Sequence, residues 1–383
     1  MREMTWEQAC SRRLREHALV EPSSGIEEVA GRLCGVHAQV MPAAEVALGI
    51  RVGGATRADV RVALWERRTL VKTFGPRGTV HLLPTDELPL WMSALDAAPK
   101  PNRSLPPELR LSEAQQEDVF EAIQISLTGA QLSVDELDKE IGERAGPWAT
   151  ELVMPAFQGM WPRWRILMGE AAHRGALCFG PNRGRNVTYT RPEDYQPIDG
   201  AEAFAEVALR YLRAYGPATP AEFARWFGTT PAGASDLFAS LGDRLEKVEM
   251  GGHKSWMPTE ETEEAEPSTA DGANGGGVRL LPYFDPYPVG CHPRELLFPG
   301  RAFERALSRG QAGNVPVMLI DGVVAGIWHQ RLAGSKVTLT VEPFGKLSPT
   351  HRAELEEQAE RLGEILEAEP SVAIGTVTAG KHA

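Results

Sequence analysis

Residues 70–84 read LVKTFGPRGTVHLLP, in which two short apolar runs flank a turn of Gly75, Pro76, Arg77 and Gly78. Short apolar runs on either side of a Gly-containing turn are typical of a β-hairpin. Upstream of this hairpin, amphipathic periodicity predicts helices at 5–20, 24–36, 43–50 and 57–68. Helices followed by a hairpin are expected of a winged-helix unit, and we place the first such unit at residues 1–110.

The same order of elements recurs twice along the chain. In residues 111–198, a hairpin with strands ALCFG and VTYTR follows predicted helices at 112–128, 133–145 and 164–175. In residues 199–258, the strands 244–250 and 253–258 follow predicted helices at 201–215, 219–227 and 231–241. Sequence identity between the units is negligible, so the prediction of three tandem winged-helix units rests on pattern.

The last third of the chain has a different character. Residues 259–277 are acidic and then Gly-rich, which predicts a linker. Residues 278–383 are β-rich, with a hairpin signal at Asp321-Gly322 and a predicted helix at 349–367. The predicted fold class is therefore α+β, with three tandem winged-helix units followed by a C-terminal β-barrel-like domain. This last domain is predicted to be a small, partly open barrel or curled sheet capped by the helix.

Composition limits the class of protein further. The four cysteines (Cys10, Cys34, Cys178 and Cys291) have no paired spacing, which indicates neither a zinc site nor a disulfide framework. The N-terminal MREMTWEQAC lacks the apolar segment of a signal peptide, and no run of 18 apolar residues occurs in the sequence. We therefore predict a cytoplasmic protein with no membrane association, no metal and no cofactor.

The distribution of charge leaves a nucleic-acid partner open. The formal net charge of −12 argues against such a partner. However, seven Lys or Arg face two acids in residues 51–81, and six Arg face one acid in residues 161–191. Much of the acidity lies in residues 259–271, which hold five Glu and one Asp. A basic surface on an acidic protein and ordinary solvated faces are both compatible with this pattern.

One polar pair stands out in residues 33–51, LCGVHAQVMPAAEVALGIR, where His37 and Gln39 lie among apolar neighbours. Side chains two apart point to nearly opposite sides of an α-helix but to the same side of an extended segment. Gly35 and Pro42 both favour a break in the helix here. An extended pair could hold one water molecule between them. The alternative is a buried, satisfied histidine beside a helix-capping glutamine.

Three longer motifs now suggest a family. FGPRGTVHLLP (74–84), LLPYFDPYPVG (280–290) and IDGVVAGIW (320–328) occur in that order and at domain-scale spacing. The chain resembles, over essentially its whole length, the bacterial winged-helix DNA glycosylases related to the azinomycin-resistance glycosylase. The resemblance implies three tandem winged-helix units and a C-terminal β-barrel around a concave channel for double-stranded DNA. It also implies removal of N7-alkylated purines, including bulky adducts and interstrand crosslinks.

The resemblance also implies where catalysis occurs. The family motif of Gln, any residue, then Gln or Asp falls on His37, Ala38 and Gln39, so that His replaces the first Gln. This variant resembles the members tied to self-resistance against bulky guanine-alkylating antibiotics. N7-alkylguanine carries a positive charge that weakens its glycosidic bond, so the enzyme must mainly position and activate water. We expect Gln39 to orient that water, and neutral His37 to accept its proton or share in orienting it.

The expected enzyme is a monofunctional glycosylase that acts in base-excision repair or self-resistance and leaves an abasic site. No lysine has to be invoked for a Schiff base, and no carboxylate follows His37 until Glu45. The partner is double-stranded DNA with an alkylated purine, and a monomer without an obligate protein partner is the simplest form.

Further candidate residues lie outside the polar pair. Candidate DNA contacts at hairpin turns are Arg77, Arg183, Arg185, His253 and Lys254. Candidate channel-lining residues, for which a structural role is the favoured alternative, are His81, Asp285 and Tyr287. The segment with Pro286 and Pro288 is predicted to be rigid and extended.

Two other functions compete with the glycosylase. A non-catalytic winged-helix regulator or drug-sequestering protein would fit the fold, but a sequence reader has no use for a polar pair inside the first unit. A nuclease would need clustered metal-binding carboxylates, and the acidic run at 260–266 is an unlikely ligand set because it falls in the predicted linker.

Overall fold

The computed structural model describes residues 2–102, 105–156, 159–259 and 276–378, and the predicted linker lies almost entirely outside these ranges. The described residues form a mixed α+β fold, as predicted. None of the described helices is long and apolar enough to span a membrane.

The first helical region follows the predicted order of elements. Its α-helices span Trp6–Glu16, Ile26–Arg32, Met41–Gly49 and Arg57–Arg61, the last continuing into a π-helical turn at Val62–Glu66. Thr5 and Thr56 begin two of them with capping boxes, in which side chain and backbone satisfy each other's hydrogen bonds. The first hairpin pairs Leu70–Phe74 with Val80–Pro84. Val36–His37 adds to Val80–Pro84 as an antiparallel edge strand.

The second helical region also carries a three-stranded sheet. Its helices span Glu113–Leu127, Val134–Arg144 and Met168–His173, with a 3₁₀ segment at Arg163–Leu167. The second hairpin pairs Cys178–Arg183 with Asn186–Thr190, and Leu132–Ser133 completes the sheet. A further hairpin of Leu152–Ala156 and Gly159–Pro162, which the sequence pattern did not predict, precedes the 3₁₀ segment.

The third helical region includes in its sheet a strand from the N-terminus of the chain. Its helices span Gly200–Tyr215, Pro220–Phe227 and Pro231–Leu241. The third hairpin pairs Leu245–Met250 with His253–Pro258. Arg2–Met4 then pairs in parallel with Leu245–Met250, so the N-terminal strand lies in the third sheet.

One helix joins the first and third helical regions. Leu88–Ala97, which the sequence analysis did not single out, packs along Gly200–Tyr215 and buries Trp91 completely. Tyr211 and Leu212 are buried in the same core. Burying an aromatic side chain of this size contributes roughly 1.5–3 kcal/mol, so the core shared by these helices fixes the two regions to each other.

The C-terminal region is a curled, open sheet of five strands, as predicted. In sheet order the strands are Val278–Leu281, Val317–Ile320, Val323–Ala333, Lys336–Pro343 and Glu369–Ile374. The helix Pro349–Leu366 packs against both edge strands and buries Leu355 and Ile365. Asp321 and Gly322 have φ of 50° and 81°, which suits the tight turn that their sequence predicted.

The prediction of an extended segment around Pro286 and Pro288 was wrong. Pro286–Gly290 forms a helical turn, and Asp285 caps it by accepting a hydrogen bond from the Tyr287 backbone N–H at 3.0 Å. Proline is well suited to the first position of a helix because its missing N–H would have no partner there.

Candidate active site

The segment that carries His37 and Gln39 begins with a sharp break in the helix, as predicted. Helix Ile26–Arg32 ends, and Cys34 and Gly35 follow with φ of 58° and 91°. The Tyr215 hydroxyl donates to the Leu33 carbonyl oxygen at 2.6 Å, which ties this turn to the third helical region. Because the chain turns here, Val36 and His37 leave the helix and join the sheet.

Gly35→Ala is expected to destabilise the protein by roughly 1–3 kcal/mol, since a non-Gly residue would be held at a strained positive φ. Its new Cβ would also lie 2.7 Å from Leu83 Cδ2. The matched control is Gly54→Ala, whose φ of 71° is similar but whose Cβ would meet no atom within 4 Å. Thermal unfolding should show a larger loss for Gly35→Ala, and equal losses would mean that packing against Leu83 adds nothing.

His37 and Gln39 face the same side of an extended segment. Val36 and Ala38 are fully buried, whereas His37 is partly exposed and Gln39 is exposed. The Ala38 N–H donates to the Val80 carbonyl oxygen at 2.7 Å, so pairing with the first hairpin continues beyond His37. This alternation of burial is that of a β-strand. The Gln39 amide makes no hydrogen bond to the described part of the chain, which leaves it available to water or substrate.

The His37 imidazole lies between two other rings. It stacks on Phe284, with centroids 4.6 Å apart and planes 27° apart, and it meets the edge of His81 at 5.4 Å. Nδ1 of His37 is buried without a hydrogen-bond partner. Burial, and secondarily the charge of Arg77, lowers the pKa of His37 from 6.5 to about 4. His37 is therefore neutral near pH 7.

His81 forms the inner wall of the site. Its side chain is 4 % exposed, and its Nδ1 lies 2.9 Å from the Thr79 carbonyl oxygen. Burial lowers the pKa of His81 well below its ordinary value, and the neighbouring His37 and Arg77 add to this effect. A Cβ at position 75 would lie 2.9 Å from His81 Nδ1, so Gly75 provides the space for the ring.

Phe284 is the site residue that the sequence analysis missed. It has a φ of 53°, and its backbone N–H donates to the Gly313 carbonyl oxygen at 2.9 Å. The strained backbone and this hydrogen bond hold the ring against His37. The motif FDPYP was noticed, but a phenylalanine next to polar residues gave no signal of its own.

Asp285 and Tyr287 do not line an open channel. Both side chains are fully buried. Asp285 accepts two hydrogen bonds from the Arg51 guanidinium, at 2.7 and 2.8 Å, and the Tyr287 hydroxyl donates to the Gly322 carbonyl oxygen at 3.0 Å. These contacts support the structural role, because they fix the Phe284 segment onto the end of helix Met41–Gly49.

Arg77, a candidate phosphate contact, is bound within the protein through its guanidinium. Its φ is 61°, and its guanidinium donates to the Trp226 carbonyl oxygen at 2.6 Å. Gly228 allows this approach, since a Cβ there would lie 2.9 Å from the Arg77 Cα atom. The first hairpin turn therefore docks on helix Pro220–Phe227, and burial lowers the pKa of Arg77.

The other candidate DNA contacts are exposed, but they differ in their partners. Arg183 is paired with Glu136 at 2.9 Å. His253 Nε2 lies 3.6 Å from a Glu295 carboxylate oxygen. Within the described ranges, the side chains of Arg185 and Lys254 make no hydrogen bond or ion pair.

The carboxylate nearest in sequence to the polar pair is already engaged. Glu45 is 2 % exposed and accepts two hydrogen bonds from Arg61, at 2.7 and 3.1 Å. A cleft of about 420 Å³ lies elsewhere, against helix Leu88–Ala97 and residues 191–200, and neither His37 nor Gln39 lines it.

The groups brought together at His37 and Gln39 limit the chemistry that this site can perform. A neutral imidazole and a free amide on the same side of an extended segment can orient a water molecule by hydrogen bonds. No carboxylate is needed as a base for this. Both groups are carried by a helical region whose hairpin docks on another helical region. These groups suit a hydrolase that positions a water molecule.

The chain belongs to the AlkZ-like DNA glycosylase family, whose profile, described as "DNA glycosylase AlkZ-like", matches residues 30–365. It is similar to the interstrand DNA cross-link repair glycosylase of Streptomyces sahachiroi, with 31% identity over 372 residues, which cover 92% of this chain and 94% of that protein. The solved structure of the S. sahachiroi DNA glycosylase AlkZ matches with a TM-score of 0.77 and 27% identity, covering 98% of this chain and 100% of that one. The resemblance predicted from the sequence is confirmed, and this chain is a DNA glycosylase.

Proposed function

We propose that this glycosylase hydrolyses the N-glycosidic bond of N7-alkylated guanine in double-stranded DNA, and that it accepts bulky adducts. The observation that carries the proposal is the neutral His37 beside the free Gln39 amide on one side of an extended segment. We further propose that the three hairpin-bearing helical regions are winged-helix units, at 1–110, 111–198 and 199–258, followed by a β-barrel-like domain at 278–383.

Hydrolysis of this glycosidic bond needs little activation of the leaving base. An N7-alkylated guanine is cationic, so its C1′–N9 bond breaks with the electron pair returning to a base that becomes neutral. The sugar acquires oxocarbenium character, and a water oxygen forms the new bond to C1′ while its proton leaves. Orienting that water and accepting its hydrogen bonds is the main task of the protein.

The proposed roles follow from the contacts of each side chain. Gln39 orients the water through its free amide, and neutral His37 shares in orienting the water or accepts its proton. Glu45 is unsuited to act as a base because Arg61 binds both its oxygens.

The enzyme is proposed to be monofunctional, which is consistent with the position of the lysine in the first hairpin. Lys72 is paired with Leu82, next to the pair Thr73 and His81. Side chains alternate along a strand, so Lys72 lies on the opposite face of the sheet from His81. Its ammonium lies 5.0 Å from the centre of the Phe179 ring.

DNA binding is proposed to involve Arg185, His253 and Lys254, which lie at the turns of the second and third hairpins. Exposed cations at hairpin turns suit contact with phosphate, which gives affinity without reading the base sequence. Arg183 is a weaker candidate because its ion pair with Glu136 would have to be replaced.

Two observations support acceptance of bulky adducts. Gln39 is exposed and His37 is partly exposed, and neither side chain lines the cleft of about 420 Å³. A site of this kind does not require the modified base to fit inside a closed pocket. In addition, the S. sahachiroi relative is named an interstrand DNA cross-link repair glycosylase.

The decisive measurement is base release from a duplex that carries a single lesion, scored by alkaline cleavage at the abasic site. We expect release of N7-methylguanine and of a bulky N7-alkylguanine, and no strand cleavage without alkali. A duplex with N3-methyladenine and an undamaged duplex serve as substrate controls.

The substrate proposal fails if N3-methyladenine is released while both N7-alkylguanines remain. Tight binding of every lesion without release would instead support a non-catalytic, drug-sensing function. Strand cleavage without alkali would show a lyase step and overturn the monofunctional assignment.

A further inference from the structure

The two histidines of the site are fixed in different ways, and this decides where each carries its single proton. A neutral imidazole holds one proton, on either Nδ1 or Nε2, and the partner of one nitrogen sets the state of the other. His81 has a hydrogen-bond partner on Nδ1, whereas His37 has none.

His37 has no acceptor for a proton on Nδ1. This nitrogen is buried without a hydrogen-bond partner, and the imidazole packs against the rings of Phe284 and His81. A buried N–H without an acceptor is rarer in proteins than a buried acceptor without a donor. The proton therefore belongs on Nε2, the nitrogen that is not sealed from solvent.

His81 has the opposite arrangement. Its Nδ1 lies 2.9 Å from the Thr79 carbonyl oxygen, which can only accept a hydrogen bond, so Nδ1 must carry the proton. Nε2 then holds a lone pair. This nitrogen makes no hydrogen bond within the described ranges, and it is not among the ring nitrogens that are fully sealed from solvent.

We propose that His37 and His81 are held in opposite tautomers, so that His37 donates a hydrogen bond into the site and His81 accepts one. His81 is then a positioning residue for the attacking water, together with Gln39, and His37 Nε2–H holds the water oxygen or a substrate oxygen. The proton released as the C1′–O bond forms goes to bulk solvent, so of the two roles proposed for His37 this tautomer selects orientation of the water.

The role of the water in this proposal rests on the proposed function. The tautomers themselves can be tested without measuring activity. Phe284 has a part in the proposal, because its ring excludes water from the stacked face of the His37 imidazole. Removing that ring would let water reach Nδ1, and the populations of the two His37 tautomers would become more similar.

The direct test is long-range proton–nitrogen NMR of the ¹⁵N-labelled protein, which distinguishes protonated from bare ring nitrogens. His37→Gln and His81→Gln assign the signals. We expect a protonated Nε2 for His37 and a protonated Nδ1 for His81. The same tautomer in both rings, or a proton on His37 Nδ1, would overturn the proposal. Phe284→Leu should give mixed tautomers at His37. The control is Phe344→Leu, which removes a ring that contacts Arg301 and should leave the tautomers unchanged.

The second test asks whether His81 acts as a hydrogen-bond acceptor or only through packing. His81→Gln retains an acceptor oxygen, whereas His81→Leu fills similar space without one. We expect His81→Leu to lower kcat by about 10²-fold, as for loss of one positioned hydrogen bond, with KM little changed. His81→Gln should stay within about tenfold of wild type. Equal activity of the two variants would refute the acceptor role. If the wild-type protein shows the expected tautomers but releases no N7-alkylguanine, the proposed function is refuted and the tautomer assignment is not.

Discussion

Gln39→Ala is expected to lower kcat for release of N7-alkylguanine by about 10²–10⁴-fold, the usual contribution of a side chain that positions or activates water. The Gln39 side chain is exposed and makes no hydrogen bond within the described ranges, so its removal should not affect folding. DNA affinity should be unchanged, because the amide is proposed to act on water and not on phosphate. The effect should therefore appear in kcat and leave KM nearly as in wild type.

Single-turnover kinetics on a duplex with one N7-methylguanine would measure this effect. The matched control is Gln124→Ala, which removes an exposed amide from helix Glu113–Leu127, in the second helical region. His37→Ala should show a loss of similar size. Because burial lowers the pKa of His37 to about 4 and that of His81 well below its ordinary value, both rings stay neutral and the wild-type rate should be flat above about pH 5. Full activity of Gln39→Ala would exclude it from catalysis.

The parts of the site that local sequence could predict are those that local chemistry determines. Gly35 and Pro42 mark a break in the helix, and the structure places a left-handed turn and a strand there. The apolar runs around Gly75–Gly78 likewise form the predicted first hairpin. In both places, backbone preferences within a few residues decide the conformation.

The parts that local sequence could not predict depend on distant residues. Phe284 contacts His37, and Asp285 binds Arg51, only because the chain folds back over more than two hundred residues. Arg77 was predicted to contact phosphate because it lies in a turn between Pro76 and Gly78. In the structure, its guanidinium reaches a carbonyl group of a helix about 150 residues further along the chain. No pattern in the turn itself contains that information.

The buried ion pair of Arg51 and Asp285 gives the largest expected effect on stability. Asp285→Asn is expected to destabilise the protein by about 3–5 kcal/mol, because the charge of Arg51 would remain buried without a counter-ion. Both side chains are fully buried, and Arg51 makes one further hydrogen bond, to the Ala47 carbonyl oxygen at 2.8 Å. Asparagine keeps an oxygen that can cap Tyr287, so the substitution removes mainly the charge.

Urea unfolding would measure the loss, with Arg57→Gln as the control. Arg57 forms an ion pair with Glu367 at 2.9 Å, but both side chains are partly exposed. Breaking this pair should cost no more than about 1 kcal/mol. The double variant Arg51→Met with Asp285→Leu should recover much of the stability lost in Asp285→Asn, because no charge remains buried. A loss for Asp285→Asn no greater than for Arg57→Gln would show that the buried charge is relieved in another way.

The same substitution tests how the C-terminal region contributes to catalysis. Asp285 follows Phe284 directly, so a looser Asp285 should free the Phe284 ring from the His37 imidazole. Since Phe284 is proposed to keep water from Nδ1, the His37 signals of folded Asp285→Asn should shift toward mixed tautomers. The double variant should regain stability without regaining the wild-type tautomer, because it removes the hydrogen bonds that fix the segment. Recovery of both together would mean that packing alone places Phe284.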